Sequence, residues 1–182
     1  MLKLEDNPPM LPDGVRSVAD LAGDWWVAHA KPRCEKALAF DLRVDGVGYY
    51  LPLITKVAMS GGRRRRSLIP VFTSYVFFCG GPEARMSALQ TNRVVRVIPV
   101  KDRDLFVREL HAVEAALAAD GQLDLYPFAV TGRRCRVRSG PFEGIEGTIV
   151  RRDDRPVLVL QVSILGCGAA LEIEPSLLEP VD

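Results

Sequence analysis

One stretch restricts the possible folds more than any other: Val137-Arg138-Ser139-Gly140-Pro141-Phe142-Glu143-Gly144-Ile145-Glu146-Gly147-Thr148-Ile149. Its glycines at 140, 144 and 147 release backbone angles that a Cβ would block, which makes a tight connection between two strands. The flanks are β in character throughout. Cys135–Arg138 alternates, Thr148–Val150 is a short strand, Pro156–Leu165 is rich in valine and leucine, and Gly166-Cys167-Gly168 turns the chain into Ala170–Glu174. Short strands parted by glycine turns predict a small SH3-like barrel over 131–182, with Phe142 capping one end. The valine content of Pro156–Leu165 argues against a helical hairpin there.

A chain of 182 residues leaves room for one further small domain. Residues 1–23, with Pro8, Pro9, Pro12 and Gly14, read as a mobile arm. Order starts at the strand-length run Trp25-Trp26-Val27-Ala28-His29-Ala30. Cys34, Leu38 and Leu42 then recur every four residues on one helix face, closed by Asp45-Gly46. Tyr49–Leu51 is a second strand and Leu53–Met59 its continuation beyond Pro52. Ser60-Gly61-Gly62 turns, with the arginine run Arg63–Arg66 at or just after the tip. Val71–Phe78 carries the strongest strand signal of this half. Gly80-Gly81-Pro82 breaks the chain, and Val94–Val100 is a further strand. Residues 101–119 are helical, with Phe106, Leu110, Val113 and Leu117 on one face. The fold class is α+β: an antiparallel sheet backed by two helices over 24–119, a linker over 120–130, then the barrel. Leu123, Leu125, Tyr126 and Phe128 allow that linker to dock on either domain.

Hydrophobic residues at 48% and charged residues at 26% exclude a mainly disordered chain. No apolar run reaches the roughly 18 residues of a membrane span. The N-terminus lacks a basic-then-apolar leader, so a cytoplasmic protein without membrane contact is expected. Cys34, Cys79, Cys135 and Cys167 are scattered, with only His29 and His111 to join them, so reduced core thiols and no metal or cofactor are expected. Asp41, Glu109 and His111 are available for acid–base chemistry, but nothing links them, and no nucleophile–base pair or phosphate loop is visible. A non-enzyme is expected.

The formal charge of +1 conceals an asymmetry. Residues 1–23 carry −2, residues 24–120 carry +5 and residues 121–182 carry −2. The positive field centres on Arg63, Arg64, Arg65 and Arg66 and suits a polyanion, while a plain solvated basic loop explains a four-residue run equally well.

The glycine-punctuated segment, with Val159–Gly166 and the ending Leu177-Leu178-Glu179-Pro180-Val181, resembles the KOW domain of NusG-type transcription factors. Trp25–Arg33, Tyr50-Leu51-Pro52-Leu53 and Pro70–Phe77 are similar to the NusG N-terminal (NGN) domain, in matching order and spacing. Lys31-Pro32-Arg33 and Tyr50–Leu53 look more like the specialised RfaH-like paralogues than like housekeeping NusG. The chain departs from those paralogues in having Arg93-Val94-Val95 where they often have arginine, glycine and an apolar residue. It also lacks a histidine-threonine cluster around 81–88.

The resemblance implies an elongation and antitermination factor, monomeric, that grips the clamp helices of the largest RNA polymerase subunit and suppresses pausing and termination. The positions matching the family's polymerase cavity are His29, Phe72, Tyr75 and Phe77. Alternation sets Tyr75 and Phe77 on one face of their strand and Val76 and Phe78 on the other. The basic positions implied to touch the non-template DNA strand are Lys31, Arg33 and Arg93, with Arg63–Arg66 in a basic hairpin that contacts nucleic acid or polymerase. In the barrel, Phe142, Ile164 and Leu165 match the surface that recruits a small-subunit ribosomal protein or the termination factor Rho. Cys167 replaces the arginine often found after the glycine, which weakens the expectation of Rho. A ribosome-associated or rRNA-binding KOW protein is the alternative, and the whole first domain counts against it.

Overall fold

The computed structural model describes residues 6–60, 62–127, 132–153 and 155–181, with the backbone alone of Ser60 and Arg63. The chain divides into two compact units, one ending at Arg103 and one starting at Asp104.

The first unit is built on a four-stranded antiparallel sheet. β1 (Trp25–Ala30) lies between β5 (Tyr75–Cys79) and β6 (Val94–Pro99), and β2 (Gly48–Tyr50) flanks β5 on its far side. Its helices are α1 (Glu35–Val44) and α2 (Pro82–Gln90). Leu38 and Leu42 of α1 and Ala84 and Ala88 of α2 are buried with Ala28, Ala30, Tyr49, Val76 and Phe78, while Trp26 and Cys34 pack at the margin. Burial of each leucine contributes about 1.5–3 kcal/mol. Gly46 ends α1 in the left-handed region at φ 68°, as its sequence predicts, and Val47 N–H donates to the Leu42 carbonyl at 2.8 Å.

Three sequence expectations for this half are corrected. Gly80-Gly81-Pro82 does not merely break the chain: Gly81 caps α2 and Pro82 occupies its first turn, where a missing N–H costs nothing. Leu53–Met59 does not continue the second strand of the sheet. Instead β3 (Leu53–Ser60) pairs with β4 (Arg63–Pro70) as a separate two-stranded ribbon. Residues 6–23 are not a loose arm either. Tyr49 donates its hydroxyl to the Pro9 carbonyl at 3.0 Å, and Leu51 N–H donates to Met10 at 2.8 Å. Val18 and Leu21 are buried, and Ser17 and Asp20 close a capping box around the short turn Val18–Asp20. Residues 1–5 lie outside the described residues.

The second unit contains α3 (Arg103–Ala118) from its second residue onward, and a six-stranded antiparallel sheet in the order β12-β8-β9-β10-β11-β7. β8 (Arg133–Val137), β9 (Glu146–Arg152), β10 (Arg155–Val162) and β11 (Cys167–Glu172) form a meander. β12 (Leu178–Pro180) and β7 (Leu123–Tyr126) complete its two edges. The helix expected to back the first sheet thus falls in the compact unit of the barrel strands. The expected linker also contains a strand: β7 pairs with β11 from Leu171↔Leu123 to Gly168↔Tyr126, with Leu123 buried. Phe128 lies outside the described residues. Val157 and Val159 are buried with Ala170 on one side of β10, and Leu158 and Leu160 are buried on the other.

The glycines of the β8–β9 connection serve two different ends. Gly140 and Gly144 adopt positive φ of 92° and 82°. Gly147 sits in β9 where an added Cβ would lie 2.8 Å from the Val159 carbonyl oxygen and 2.9 Å from Leu158 Cγ.

Candidate functional site

β1 and β5 pair in the register Val27↔Phe77, Ala28↔Val76 and His29↔Tyr75, which fixes the side-chain faces. Val76 and Phe78 join the helix-backed core, so Trp25, Val27, His29, Tyr75 and Phe77 point to the opposite face. There His29 and Tyr75 stack with ring centroids 5.2 Å apart, both half-buried. Phe77 stacks on Tyr50 at 6.4 Å and meets Phe72 edge-on at 5.7 Å. The four predicted polymerase-facing residues therefore form two contacting pairs. Their exposure differs: Phe72 and Phe77 are 1% and 0% exposed, so in this conformation only His29 and Tyr75 offer surface.

Phe72 lies on the turn leading into β5, and that turn is held by a buried carboxylate. Glu35, the first residue of α1, is 5% exposed and accepts the Ser74 N–H at 2.7 Å. Ser74 sits at φ 65°, a region costly for a residue with a Cβ, and its carbonyl accepts the Ala30 N–H at 2.8 Å. Tyr75 N–H donates to the Phe72 carbonyl at 3.2 Å. Sequence reasoning missed Glu35, because its partner lies 39 positions away. It also missed Arg96, which pairs with His29 across β6 and prolongs the Tyr75–His29 row with an exposed cation. A lone arginine within an otherwise apolar strand was the available signal.

The predicted nucleic-acid cations fall into two groups. Lys31 and Arg33 are exposed on the β1–α1 connection, with Arg33 at φ 63°. Arg93 is beside them, since its carbonyl accepts the Lys31 N–H at 2.7 Å. Its guanidinium, however, is engaged by Asp41 of α1, with Nε donating to Oδ2 at 2.6 Å. That hydrogen bond and the Asp41 charge hold Arg93 above its ordinary pKa. Arg93 is thus a paired cation, whereas Lys31 and Arg33 form no ion pair among the described residues.

The second group is the ribbon. Arg64, Arg65 and Arg66 are exposed on β4 opposite Met59, Ala58 and Val57 of β3. The side chain of Arg63 lies outside the described residues.

In the second unit the β8–β9 and β10–β11 connections come to the same end of the meander. Phe142, half-buried, is on the first; Ile164 and Leu165, also half-buried, are on the second, in the turn Ser163–Leu165 that ends at Gly166 with φ 65°. Glu109 of α3 fixes this turn. Its carboxylate accepts the Ser163 N–H at 2.9 Å and also the Ser163 hydroxyl, to which Gln161 donates at 3.1 Å.

The four cysteines are free thiols, two of them buried, and burial pushes the Cys79 thiol up to about 11. Among the described residues no three His, Cys, Asp or Glu side chains converge on a metal position, and no helix is long and apolar enough to cross a membrane.

An antiparallel sheet with an aromatic row on one face, joined to a glycine-turned β-meander, defines a two-domain protein whose surfaces suit macromolecular partners. Residues 23–112 match the family described as Transcription termination factor nusG, and residues 131–160 match the KOW motif. The chain therefore carries a NusG-family N-terminal domain followed by a KOW motif. Among solved structures, the one titled "Domain interaction in Thermotoga maritima NusG" is similar at 18% identity and TM-score 0.50, covering 87% of this chain and 97% of that one. At that identity it shows the shared fold. The structure titled "Crystal Structure of MjSpt4:Spt5 complex conformation B" aligns at 13% identity over 86% of this chain and 96% of that one, with a TM-score of 0.27. No curated protein matches the sequence.

Proposed function

We infer that the chain is a cytoplasmic elongation and antitermination factor of the specialised, RfaH-like kind, acting by docking on the clamp helices of RNA polymerase. The observation that carries this is the stacked His29–Tyr75 pair, half-open on a sheet face whose other aromatic residues are buried. A stacked aromatic pair offers an apolar body with polar edges, which suits a helix lying in a groove. Arg96 beside His29 adds a cation for an acidic position on that helix. Binding that favours the closed clamp shifts the polymerase towards its elongating state. Lys31 and Arg33 supply cations for the non-template strand, with the Arg93 carbonyl holding the Lys31 backbone in place. Phe142, Ile164 and Leu165, gathered at one end of the barrel strands, form the surface for a second factor, a ribosomal protein or Rho. The link between domains gives that factor a high effective concentration near the polymerase.

The test is capture of a clamp-helix fragment by the full chain, wild type against Tyr75→Ala, with thermal melting to confirm that both are folded. A residue central to the docking surface costs at least about 2 kcal/mol when truncated, roughly a thirty-fold weaker Kd. Equal capture by a folded Tyr75→Ala protein refutes the assignment of this face.

A further inference from the structure

We propose that the outer edge of β2 in the first unit docks an acidic peptide segment of a protein partner. The chain's own residues 7–13 are the occupant that the partner displaces. This site stands apart from polymerase docking, because no group of the His29–Tyr75 face takes part in it. Residues 6–22 also lie before the matched NusG segment, which starts at residue 23. The strap formed by residues 6–23 has two unequal halves. Its second half is rooted: Val18 and Leu21 are buried, and Arg103 donates to the Leu21 carbonyl at 3.1 Å. Backbone packs on backbone there, since an added Cβ at Gly23 would lie 3.1 Å from Gly80 Cα. Between the halves, Pro12–Val15 form a turn closed by Val15 N–H donating to the Pro12 carbonyl at 3.1 Å. Gly14 sits in that turn at φ 82° with open space around it, a hinge about which the first half swings while the second stays fixed.

The first half is held by three polar groups and by the buried ring of Pro8. The Tyr49 hydroxyl donates to the Pro9 carbonyl at 3.0 Å, and Leu51 N–H, just past β2, donates to the Met10 carbonyl at 2.8 Å. Arg43 donates Nε and Nη2 to Asp13 Oδ2 at 3.0 and 2.6 Å. Each of these receiving groups is a donor, and each group that the strap supplies to them is an acceptor. Burial pushes the Tyr49 hydroxyl up to about 12, so it keeps its proton at neutral pH. Prolines at 8, 9 and 12 have no N–H to offer in return. The donor set defines its ligand: two consecutive backbone carbonyls and a carboxylate three residues further on. Main-chain bonds then give the hold, as in peptide recognition at sheet edges, while the Pro8 position and Arg43 select the sequence. The edge is available because β2 is the outermost strand of its sheet. The Asp13–Arg43 pair is open to solvent, with side chains 72% and 40% exposed, and such pairs contribute little. The strap therefore relies on its tether, which gives it an effective concentration on the order of millimolar. A partner segment brought to this edge by another contact reaches the same concentration and displaces it.

The experiment is fluorescence anisotropy of the full-length protein with a labelled peptide of residues 6–16 added in trans, and with polyglutamate as the control for charge alone. The strap is opened in cis by Pro8→Asp/Asp13→Arg, which leaves Tyr49, Leu51 and Arg43 unchanged. Hydrogen exchange at the Leu51 amide reports the opening, and thermal melting confirms that the chain is folded. If the double variant melts early, Asp13→Arg alone serves the same readouts. The opened variant is expected to bind the peptide with a Kd below about 1 mM and at least about tenfold more tightly than the wild type, whose tethered strap must first be displaced. Adding Arg43→Asp to the opened variant is expected to weaken binding about fivefold, and a peptide carrying Asp13→Arg to recover it. A Leu51 amide as protected in the opened variant as in the wild type overturns the displaceable strap. A freely exchanging Leu51 amide without peptide binding overturns the docking site, as does polyglutamate binding as tightly as the peptide. Peptide binding unmoved by Arg43→Asp also overturns it, because the site would then not select an acidic segment.

Discussion

Replacing Glu35 tests whether a single buried carboxylate sets the aromatic face. The group is 5% exposed and accepts the Ser74 N–H at 2.7 Å, while Ser74 is held at φ 65°. A hydrogen bond to a charged acceptor contributes about 1.5–3 kcal/mol, and removing the acceptor leaves a part-buried donor without its partner. Left-handed backbone at a non-glycine residue stores about 1–2 kcal/mol, which the turn sheds once it is no longer held. Glu35→Ala is therefore expected to destabilise the protein by about 2–4 kcal/mol, the turn's relaxation offsetting part of the lost bond. Glu35→Gln keeps an acceptor oxygen and loses only the charge, including its favourable position in the first turn of α1, for about 1 kcal/mol. Urea melts at constant slope give both values, and the Ser74 amide and Tyr75 ring resonances report whether the turn has moved. A Glu35→Ala protein within 0.5 kcal/mol of wild type, or with an unshifted Tyr75 ring, refutes the clamp.

Two further outcomes follow from the packing. The Cys79 thiol is raised to about 11 from 9.0 by burial, so the folded state retains a proton that the unfolded chain releases; stability is undiminished below pH 9 and falls as pH rises from about 9 to about 11. Urea midpoints in reductant across that window should decline, and Cys79→Ala should flatten the decline. Gly147→Ala puts a methyl 2.8 Å from the Val159 carbonyl oxygen within the β9–β10 pair, an overpacking expected to cost about 1–3 kcal/mol in a thermal or urea melt. A neutral effect there would mean that the two strands separate easily.

What the sequence made legible was what short-range periodicity carries. Tyr75 and Phe77 against Val76 and Phe78 follow from strand alternation, and α1 follows from Leu38 and Leu42 four residues apart. The helix α2 escaped because its buried residues are Ala84 and Ala88, too small to mark an apolar face, and because its glycine and proline start resembles a break. β7 escaped because four residues are too few to show a period. The docking of residues 6–23 depends in part on the carbonyls of Pro9 and Met10, which carry no side-chain signature, and on Val18 and Leu21, too few to show a period. The same limit applies to charge. Asp41 neutralises Arg93 from 52 positions away, so a cation that looks free in sequence is paired in the fold, whereas Arg64–Arg66 look free and are exposed.

The two candidate surfaces of the first unit share one support. The stretch from Leu53 to Cys79 runs through the ribbon, the Phe72–Ser74 turn and then β5 with Tyr75. Val71 N–H donates to the Pro52 carbonyl at 2.9 Å and closes the ribbon's base. The first two residues of α1 hold the rest: Glu35 accepts from Ser74, and Lys36 donates to the Leu68 carbonyl at 2.5 Å. Burial lowers the pKa of Lys36, and the neighbouring Glu35 charge works against that fall. One helix start therefore fixes both the turn that aims Tyr75 at His29 and the root of the arginine ribbon. If these bonds are the support, Glu35→Ala should disturb the Tyr75 ring and the amides at the ribbon's base together, while Arg65→Ser, further out on the ribbon, should leave the Tyr75 ring untouched. Coupling runs from the rooted end outward, because the bonds to α1 and to Pro52 lie at the ribbon's base.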